Sequence, residues 1–405
     1  MHILIAPDSF KESMTAMEAA AAIEQGWRDV TGDTTTFHKI PMADGGEGTT
    51  QSLHDALRGT CRTISVQDPL GRSISATYSL ANEGQTAIIE MAAASGLDLV
   101  KPNERNPRIT STYGTGQLLL DALEQGVSHI ILGIGGSATN DGGAGLLQAI
   151  GVQLLDAKGQ PISRGGEALA QLNHIDMSHI DTRFQNVQLE IACDVDNPLL
   201  GPNGATAVYS AQKGASQADQ LILEAALSHF HTVIERDLKR QVADIPGAGA
   251  AGGLGAGLLA CLPVDLKRGI DIVLSVTQFD AHVKRADLVI TGEGAIDGQT
   301  VYGKTPVGVA KAAKKYGKPV IAVAGKLGTG YEAVEKHGID AVYSMSTGPM
   351  SLEQAINEGP VRLKQWARRM AKFYQLMKEK RQTDAKISLQ RTLLGCYEKN
   401  HDGLQ

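Results

Sequence analysis

Two stretches at opposite ends of this chain follow the same pattern, and that recurrence constrains the fold more than any other feature. Near the start, an apolar run over residues 1–6 ends in Pro7-Asp8-Ser9. An alanine-rich amphipathic segment over 15–27 follows, and a second run over 36–41 ends in Ala43-Asp44-Gly45-Gly46 before helical sequence resumes over 48–57. Near the other end, residues 287–291 lead into Gly292-Glu293-Gly294. Helical sequence follows over 307–316, and a run over 319–324 leads into Gly325-Lys326. A further helix is expected to begin at 332–336, with another strand over 341–345. Short apolar runs alternating with helical segments predict parallel strands joined by crossover helices. We therefore expect an α/β protein. One doubly wound parallel sheet is built from both chain ends (1–74 with 281–377), a second α/β domain is inserted between them (75–280), and 378–405 form a tail, either poorly ordered or a peripheral appendage. Extended runs over 76–80 and 86–91 alternate with glycine-rich loops in the insert.

The segment over 352–377 reads as mostly helical, with a break at Gly359-Pro360, because proline lacks the N–H that a helix interior needs. Leu363, Trp366, Met370, Phe373 and Met377 recur at helical spacing and are expected to face a core.

Composition narrows the functional classes. The chain has 46 glycines among 405 residues, above the usual share of about 7%. They are clustered, as in loops where backbone must approach a ligand closely. The formal net charge is −6, which offers no overall basic surface for nucleic acid. Residues 362–405 nevertheless carry eleven Lys/Arg against four Asp/Glu, and this reads as a solvated helix face. The four cysteines, Cys61, Cys193, Cys261 and Cys396, form no C-x-x-C pair, which argues against a zinc site. The opening MHILIAPDSF reads as a buried strand and not as a signal peptide, and no apolar run reaches the ~18 residues of a membrane span. A cytoplasmic location fits best.

In an open parallel sheet, ligands sit beyond the carboxyl ends of the strands. Here the expected strand ends carry Asp8-Ser9-Phe10-Lys11, Asp44-Gly45-Gly46-Glu47, Gly292-Glu293-Gly294 with Asp297, and Gly325-Lys326. The run Gly133-Ile134-Gly135-Gly136-Ser137-Ala138-Thr139-Asn140-Asp141-Gly142-Gly143 follows an apolar strand at 128–132 and precedes a helix at 144–150, an arrangement suited to phosphate or carboxylate. Residues 246–253, PGAGAAGG, offer a second nest of the same kind. Asp194 and Asn197 close the strand at 187–191, with Gln212-Lys213 downstream. A carboxylate near an amide and an amine can position a hydroxyl and an incoming phosphoryl group. Residues 298–305, GQTVYGKT, satisfy the formal G-x-x-x-x-G-K-[ST] pattern. Gly298 lies several residues beyond the expected strand end, and Glu293 and Asp297 crowd the loop with negative charge, so a phosphate cradle of that type is not expected. Lys304, at a helix start, remains a phosphate-binding candidate.

At these residues a family resemblance becomes specific. APDSFKES (6–13), ADGGEGT (43–49), EMAAASGL (90–97), STYGTGQL (111–118), GIGGSATNDGGAG (133–145), ACDVDNPLLGPNGA (192–205), QKGA (212–215), PGAGAAGGLGAG (246–257) and TGEGAIDGQT (291–300) resemble the bacterial type-I glycerate kinases over about residues 1–375. The resemblance implies a flavodoxin-like domain and an inserted α/β domain, with the active site in the cleft between them. It implies ATP and D-glycerate giving 2-phosphoglycerate and ADP, with Mg2+. On this reading Asp194 orients or deprotonates the acceptor hydroxyl, while Lys11 and Lys213 neutralise phosphate or carboxylate. Gly135, Gly136 and Ser137 offer backbone donors. Asp8, Ser9, Asp44, Gly45, Gly46, Glu47, Asn140, Asp141, Asn197, Gln212 and Lys304 are substrate- or phosphate-binding candidates. Glu293 and Asp297 are metal-ligand candidates, as hard oxygen donors. The expected partners are small molecules, with no nucleic acid and no membrane. Two rival classes share the glycine-rich α/β pattern, a nicotinamide-dependent hydroxy-acid dehydrogenase and a non-catalytic sugar-acid sensor. The first lacks a G-x-G-x-x-G after the first strand.

Overall fold

The computed structural model describes residues 1–43 and 49–401, with side chains to residue 380. Asp44, Gly45, Gly46 and Glu47 lie outside the described residues. The strands, in chain order, begin with β1 (His2–Ile5), β2 (Thr36–Lys39), β3 (Thr60–Gln67), β4 (Ser73–Ala81), β5 (Thr86–Glu90) and β6 (His129–Gly133). They continue with β7 (Gln153–Leu155), β8 (His174–Asp176), β9 (Gln188–Ala192), β10 (Val264–Lys267), β11 (Leu288–Ile296), β12 (Val320–Leu327) and β13 (Ala341–Ser344). The chain divides into two compact units, one of residues 1–40, 281–300 and 310–405, the other of 41–280 and 301–309.

The first unit holds a sheet in the order β13-β12-β11-β1-β2, with every pairing parallel. Counted along this unit alone, the order is two-one-three-four-five, the flavodoxin-like arrangement, whose order reverses between β1 and β11. The strands form because their apolar residues are buried on both faces: Ile3, Leu4 and Ile5 are almost fully enclosed, as are Val289 and Ile290. Helix Ala16–Thr31 starts with a capping box, in which the Thr15 hydroxyl accepts from the Glu18 N–H and the Glu18 carboxylate accepts from the Thr15 N–H. It buries Ala19, Ala20, Ile23 and Trp27 in a core shared with Phe10, Leu363 and Trp366.

The sequence expectations need correction at several points in this unit. β3, expected here, pairs antiparallel with β4 from Thr60↔Leu80 to Gln67↔Ser73 and so joins the other sheet. A ladder between segments separated by a short turn forms at little loop-closure cost. The N-terminal share of the unit therefore ends at residue 40 and not at 74.

β11 does not stop at Thr291. It continues to Ile296, so Gly292-Glu293-Gly294 are strand residues, with Gly292 and Glu293 paired with Val323 and Ala324 of β12. Gly292 is required there, because a Cβ would lie 2.2 Å from the Val323 carbonyl oxygen. β12 likewise takes in Gly325 and Lys326. Residues 331–337 form a 3₁₀-helix, not an α-helix.

The break at Gly359-Pro360 is present as the junction between helices Leu352–Asn357 and Gly359–His401. The second of these continues through residues 378–401 as backbone helix. Leu363 and Trp366 are buried, but Phe373 and Met377 are exposed. Ala367, Ala371 and Tyr374 take the inward places, and contact with Ala16–Thr31 has reached the end of that helix where Tyr374 meets Trp27.

The second unit is built on a sheet in the order β10-β9-β6-β5-β4-β3. β3, β4 and β5 are antiparallel neighbours, and β5, β6, β9 and β10 run parallel. One face carries Ile89, Ile130, Leu132 and Ile191 into a large core with Leu118, Leu146, Leu227 and Leu254 from the covering helices. A two-stranded ribbon of β7 and β8 lies apart from this sheet. Among the described residues no helix is long and apolar enough to cross a membrane.

Candidate active site

Parallel strands end together, so β6 and β9 deliver their following loops to one edge of the second unit's sheet. β6 releases Ile134-Gly135-Gly136-Ser137, and β9 ends in Ala192 with Cys193-Asp194-Val195 beyond it. These loops, with Leu97, Tyr209, Gln212, Lys213, Ala250 and Ala251, line a cavity of about 340 Å³. One wall is the start of helix Ala250–Cys261, where Ala251, Gly252 and Gly253 turn left-handed at φ of 52°, 69° and 88°. Gly252 is needed for contact as well as for φ, since a Cβ there would stand 2.0 Å from the Thr139 carbonyl oxygen. Ala251 adopts the same region without that licence, a strain of about 1 kcal/mol, at a position that lines the cavity.

Lys213 is the principal charge of this cavity. It ends the 3₁₀-turn Ala211–Lys213 and is 2% exposed. Its ammonium donates to the Ser137 hydroxyl (2.9 Å) and to the Thr139 carbonyl (2.7 Å). Burial lowers its pKa to about 7, with the Asp141 charge opposing that shift. A negative charge placed beside this ammonium would favour its protonated form. Asp194 is held from the neighbouring strand's end, its Oδ1 accepting the Gly269 N–H at 3.0 Å. Gly135, Gly136, Ser137 and Gln212 lie on the same cavity.

Other residues expected at this site stand behind it. Asp141 is fully buried and accepts from the Thr112 N–H and hydroxyl (both 2.9 Å) and from the Gly143 and Gly145 N–H groups (both 3.2 Å). Burial pushes its carboxyl up despite those four donors. It organises the loop before helix Ala144–Ala149 and is not among the cavity-lining residues. Asn140 donates to the Thr206 hydroxyl (3.2 Å). Asn197 donates to the Asn203 carbonyl (2.8 Å) and accepts from the Tyr209 hydroxyl (2.6 Å). That last bond fixes a wall residue the sequence did not single out. Tyr209 sits in the short helix Ala205–Tyr209, inside a run of small residues, and no motif marked it. Cys193 was also passed over as a wall residue. Burial pushes its thiol up, so it acts as a small apolar lining group.

The first unit gathers a different set. Asp8 lies at the order reversal, where its N–H donates to the Gly292 carbonyl (2.8 Å) and its carboxylate accepts the Ser9 N–H (2.6 Å). Glu293 is 8% exposed and accepts from the Thr300 hydroxyl at 2.9 Å. Asp297 accepts the Gln299 N–H at 2.8 Å, a local turn bond. Lys11 is exposed, with its backbone near Gly294. Lys304 belongs to the second unit and precedes helix Thr305–Lys314. Among the described residues there is no group of three or more His, Cys, Asp or Glu side chains arranged to hold a metal. A metal that keeps most of its waters and phosphate oxygens needs only one or two carboxylates, which Glu293 and Asp297 can supply.

Two α/β units define the general class, an enzyme acting on a small anionic molecule. One unit has flavodoxin-like order, and the other places a buried ammonium, a carboxylate and a glycine-rich loop at its strand ends. The model of the glycerate kinase family matches residues 3–375. A glycerate kinase of Halalkalibacterium halodurans is 59% identical over 369 residues, covering 91% of this chain and 97% of that protein. The glycerate 2-kinase of Escherichia coli K12 is 50% identical over 355 residues, 88% of this chain and 93% of that one. The crystal structure of a putative glycerate kinase 2 from Salmonella typhimurium LT2 superposes with a TM-score of 0.86 at 47% identity, covering 94% of this chain and 99% of that one. The chain belongs to the glycerate kinase family.

Proposed function

We propose that this protein phosphorylates D-glycerate on its C2 hydroxyl with ATP, giving 2-phosphoglycerate and ADP, with Mg2+ as the metal and the cytoplasm as its place of work. The observation that carries the reading is the cavity in which Lys213, Asp194 and the Gly135–Ser137 loop converge, in a chain of this family. The acceptor lies there with an anionic group toward Lys213 and Ser137. Its hydroxyl faces Asp194, which takes the proton as the oxygen attacks the γ-phosphorus. The new O–P bond forms as the bond from that phosphorus to the bridging oxygen of ADP breaks. Positioning and charge neutralisation then provide most of the acceleration. Asp8, Ser9 and Lys11 of the first unit, and separately Lys304 of the second, are the candidates for phosphate binding. Glu293 and Asp297 hold the metal, which when bound neutralises phosphate charge.

The test is direct. Purified protein should release ADP only when D-glycerate and Mg2+ are both present, and a phosphorus spectrum should place the phosphate on C2. Phosphate on C3 alone would overturn the position of attack. No ADP release would overturn the kinase reading, and a nicotinamide absorbance change with glycerate would favour a dehydrogenase.

A further inference from the structure

One carboxylate in the second unit has no part in the proposed reaction and stands in an unfavourable place. Glu190 is the third residue of β9, between Leu189 and Ile191, and is 3% exposed. A buried carboxylate is costly unless paired from close range. Glu190 is paired twice, by strands on both sides. Its Oε2 lies 2.8 Å from His129 Nε2 on β6, and its Oε1 receives the Lys267 ammonium from β10. Burial alone would push its carboxyl up. The Lys267 and His129 bonds outweigh that and hold it below the ordinary glutamate range.

The geometry beyond this clamp leads to the site. β10 is a four-residue edge strand, paired among the described residues with β9 alone. In the β9–β10 register Asp265 faces Glu190 and Lys267 faces Ala192, so the Lys267 side chain reaches back diagonally to Glu190. The Lys267 carbonyl accepts the Cys193 N–H at 2.9 Å, and two residues later the Gly269 N–H donates to Asp194 Oδ1 at 3.0 Å. A short edge strand has few bonds to keep its end in register. The Glu190–Lys267 pair anchors that end one residue before the loop that holds Asp194.

We propose that Glu190 is a positioning residue: by clamping the end of β10 through Lys267, it keeps the Gly269 N–H on Asp194 and so sets the direction of that carboxylate. The inference rests on the reading of Asp194 as the group that faces the acceptor hydroxyl. A displacement of about 1 Å at a reacting group can cost about a hundredfold in rate. Loss of the clamp should therefore act on kcat and leave nucleotide binding alone.

The experiment compares Glu190→Gln, Lys267→Gln, Asp194→Asn and Asp121→Asn in the full-length protein, with kcat, KM for ATP and Tm measured for each. Asp121→Asn is the structural control. Its carboxylate holds Arg62 (2.6 and 2.8 Å) and the Tyr78 hydroxyl (2.6 Å) in the same unit, and Asp121 is not among the cavity-lining residues. Glu190→Gln and Lys267→Gln should each lower kcat about tenfold or more and leave KM for ATP within about twofold, while Asp121→Asn lowers Tm and keeps kcat. If Glu190→Gln fails to fold, Lys267→Gln decides, since it opens the same clamp from the exposed side. Near-normal kcat in the clamp variants beside a crippled Asp194→Asn overturns the positioning role alone. Near-normal kcat in Asp194→Asn overturns the reading of Asp194 and the positioning role with it.

Discussion

Replacing Lys213 by methionine tests the electrostatics of the cavity through stability as well as turnover. Methionine keeps an unbranched side chain of similar length and removes the charge. In the folded protein the lysine's pKa is about 7, against 10.5 for the unperturbed group. Between those two values the unfolded chain binds a proton that the folded chain does not, so stability rises with pH across that window. Below the folded pKa both states carry the charge, and the cost of burying it is borne in full. At about 1.4 kcal/mol per pH unit for one proton, the wild type should gain about 2 kcal/mol between pH 7.5 and 9.5 that Lys213→Met does not. Loss of the bond to Thr139 subtracts about 1 kcal/mol at every pH and leaves the slope untouched. Urea unfolding at four pH values, without ligand, measures both curves. Parallel curves would refute the argument, because they would mean that this lysine keeps its proton in both states. In the same variant kcat should fall by about a hundredfold, the scale on which one donor aimed at developing charge acts.

Asp194→Asn keeps the shape of the side chain and removes its basicity, so kcat should fall by about 10²–10⁴ with little change in KM for ATP, the pattern of a lost general base. A defect that eases as Mg2+ is raised would instead make it a metal ligand. Gly298→Ala should leave ATP affinity within about threefold, under about 0.7 kcal/mol. Its added Cβ meets the Thr329 carbonyl oxygen at 3.5 Å and Gly330 backbone atoms at 3.8 and 3.9 Å, all ordinary contacts, and the Gly298 N–H is already bonded to the Thr329 oxygen at 3.0 Å. A hundredfold loss of affinity in folded protein would revive a phosphate cradle there. Gly252→Ala should destabilise by more than about 3 kcal/mol, combining a left-handed backbone with a backbone collision. An unchanged Tm would show that the turn relaxes freely.

The sequence carried the α/β class and most strand positions. A strand buried on both faces must be a short apolar run, and a crossover helix must show helical periodicity, whatever their partners are. It also carried the residues at the carboxyl ends of β6 and β9, because chemistry at a sheet edge needs glycine, hydroxyl and charge where apolar runs stop. Gly135, Gly136, Ser137 and Asp194 were legible in that way, and they share one cavity with Gln212 and Lys213 from the 3₁₀-turn Ala211–Lys213. Asp44, Gly45, Gly46 and Glu47 lie outside the described residues, so their reading rests on sequence.

Tertiary structure decided the rest. Spacing along a chain does not say which strand is a neighbour, so only the ladder with β4 removed β3 from the first unit. Nor could it show that Gly292-Glu293-Gly294 lie inside a strand, since β12 supplies the partner that extends β11. A carboxylate in a glycine-rich loop reads the same whether it meets a ligand or the loop's own N–H groups, and the fold assigned Asp141 to the second role. Glu190 broke an apolar run in plain sight. Its meaning depended on His129 and Lys267, which lie 61 and 77 residues away in sequence and are brought to it only by the order β6, β9, β10. Burial is written locally because it depends on each residue's own side chain, whereas the sign and purpose of a buried charge depend on neighbours that only folding supplies.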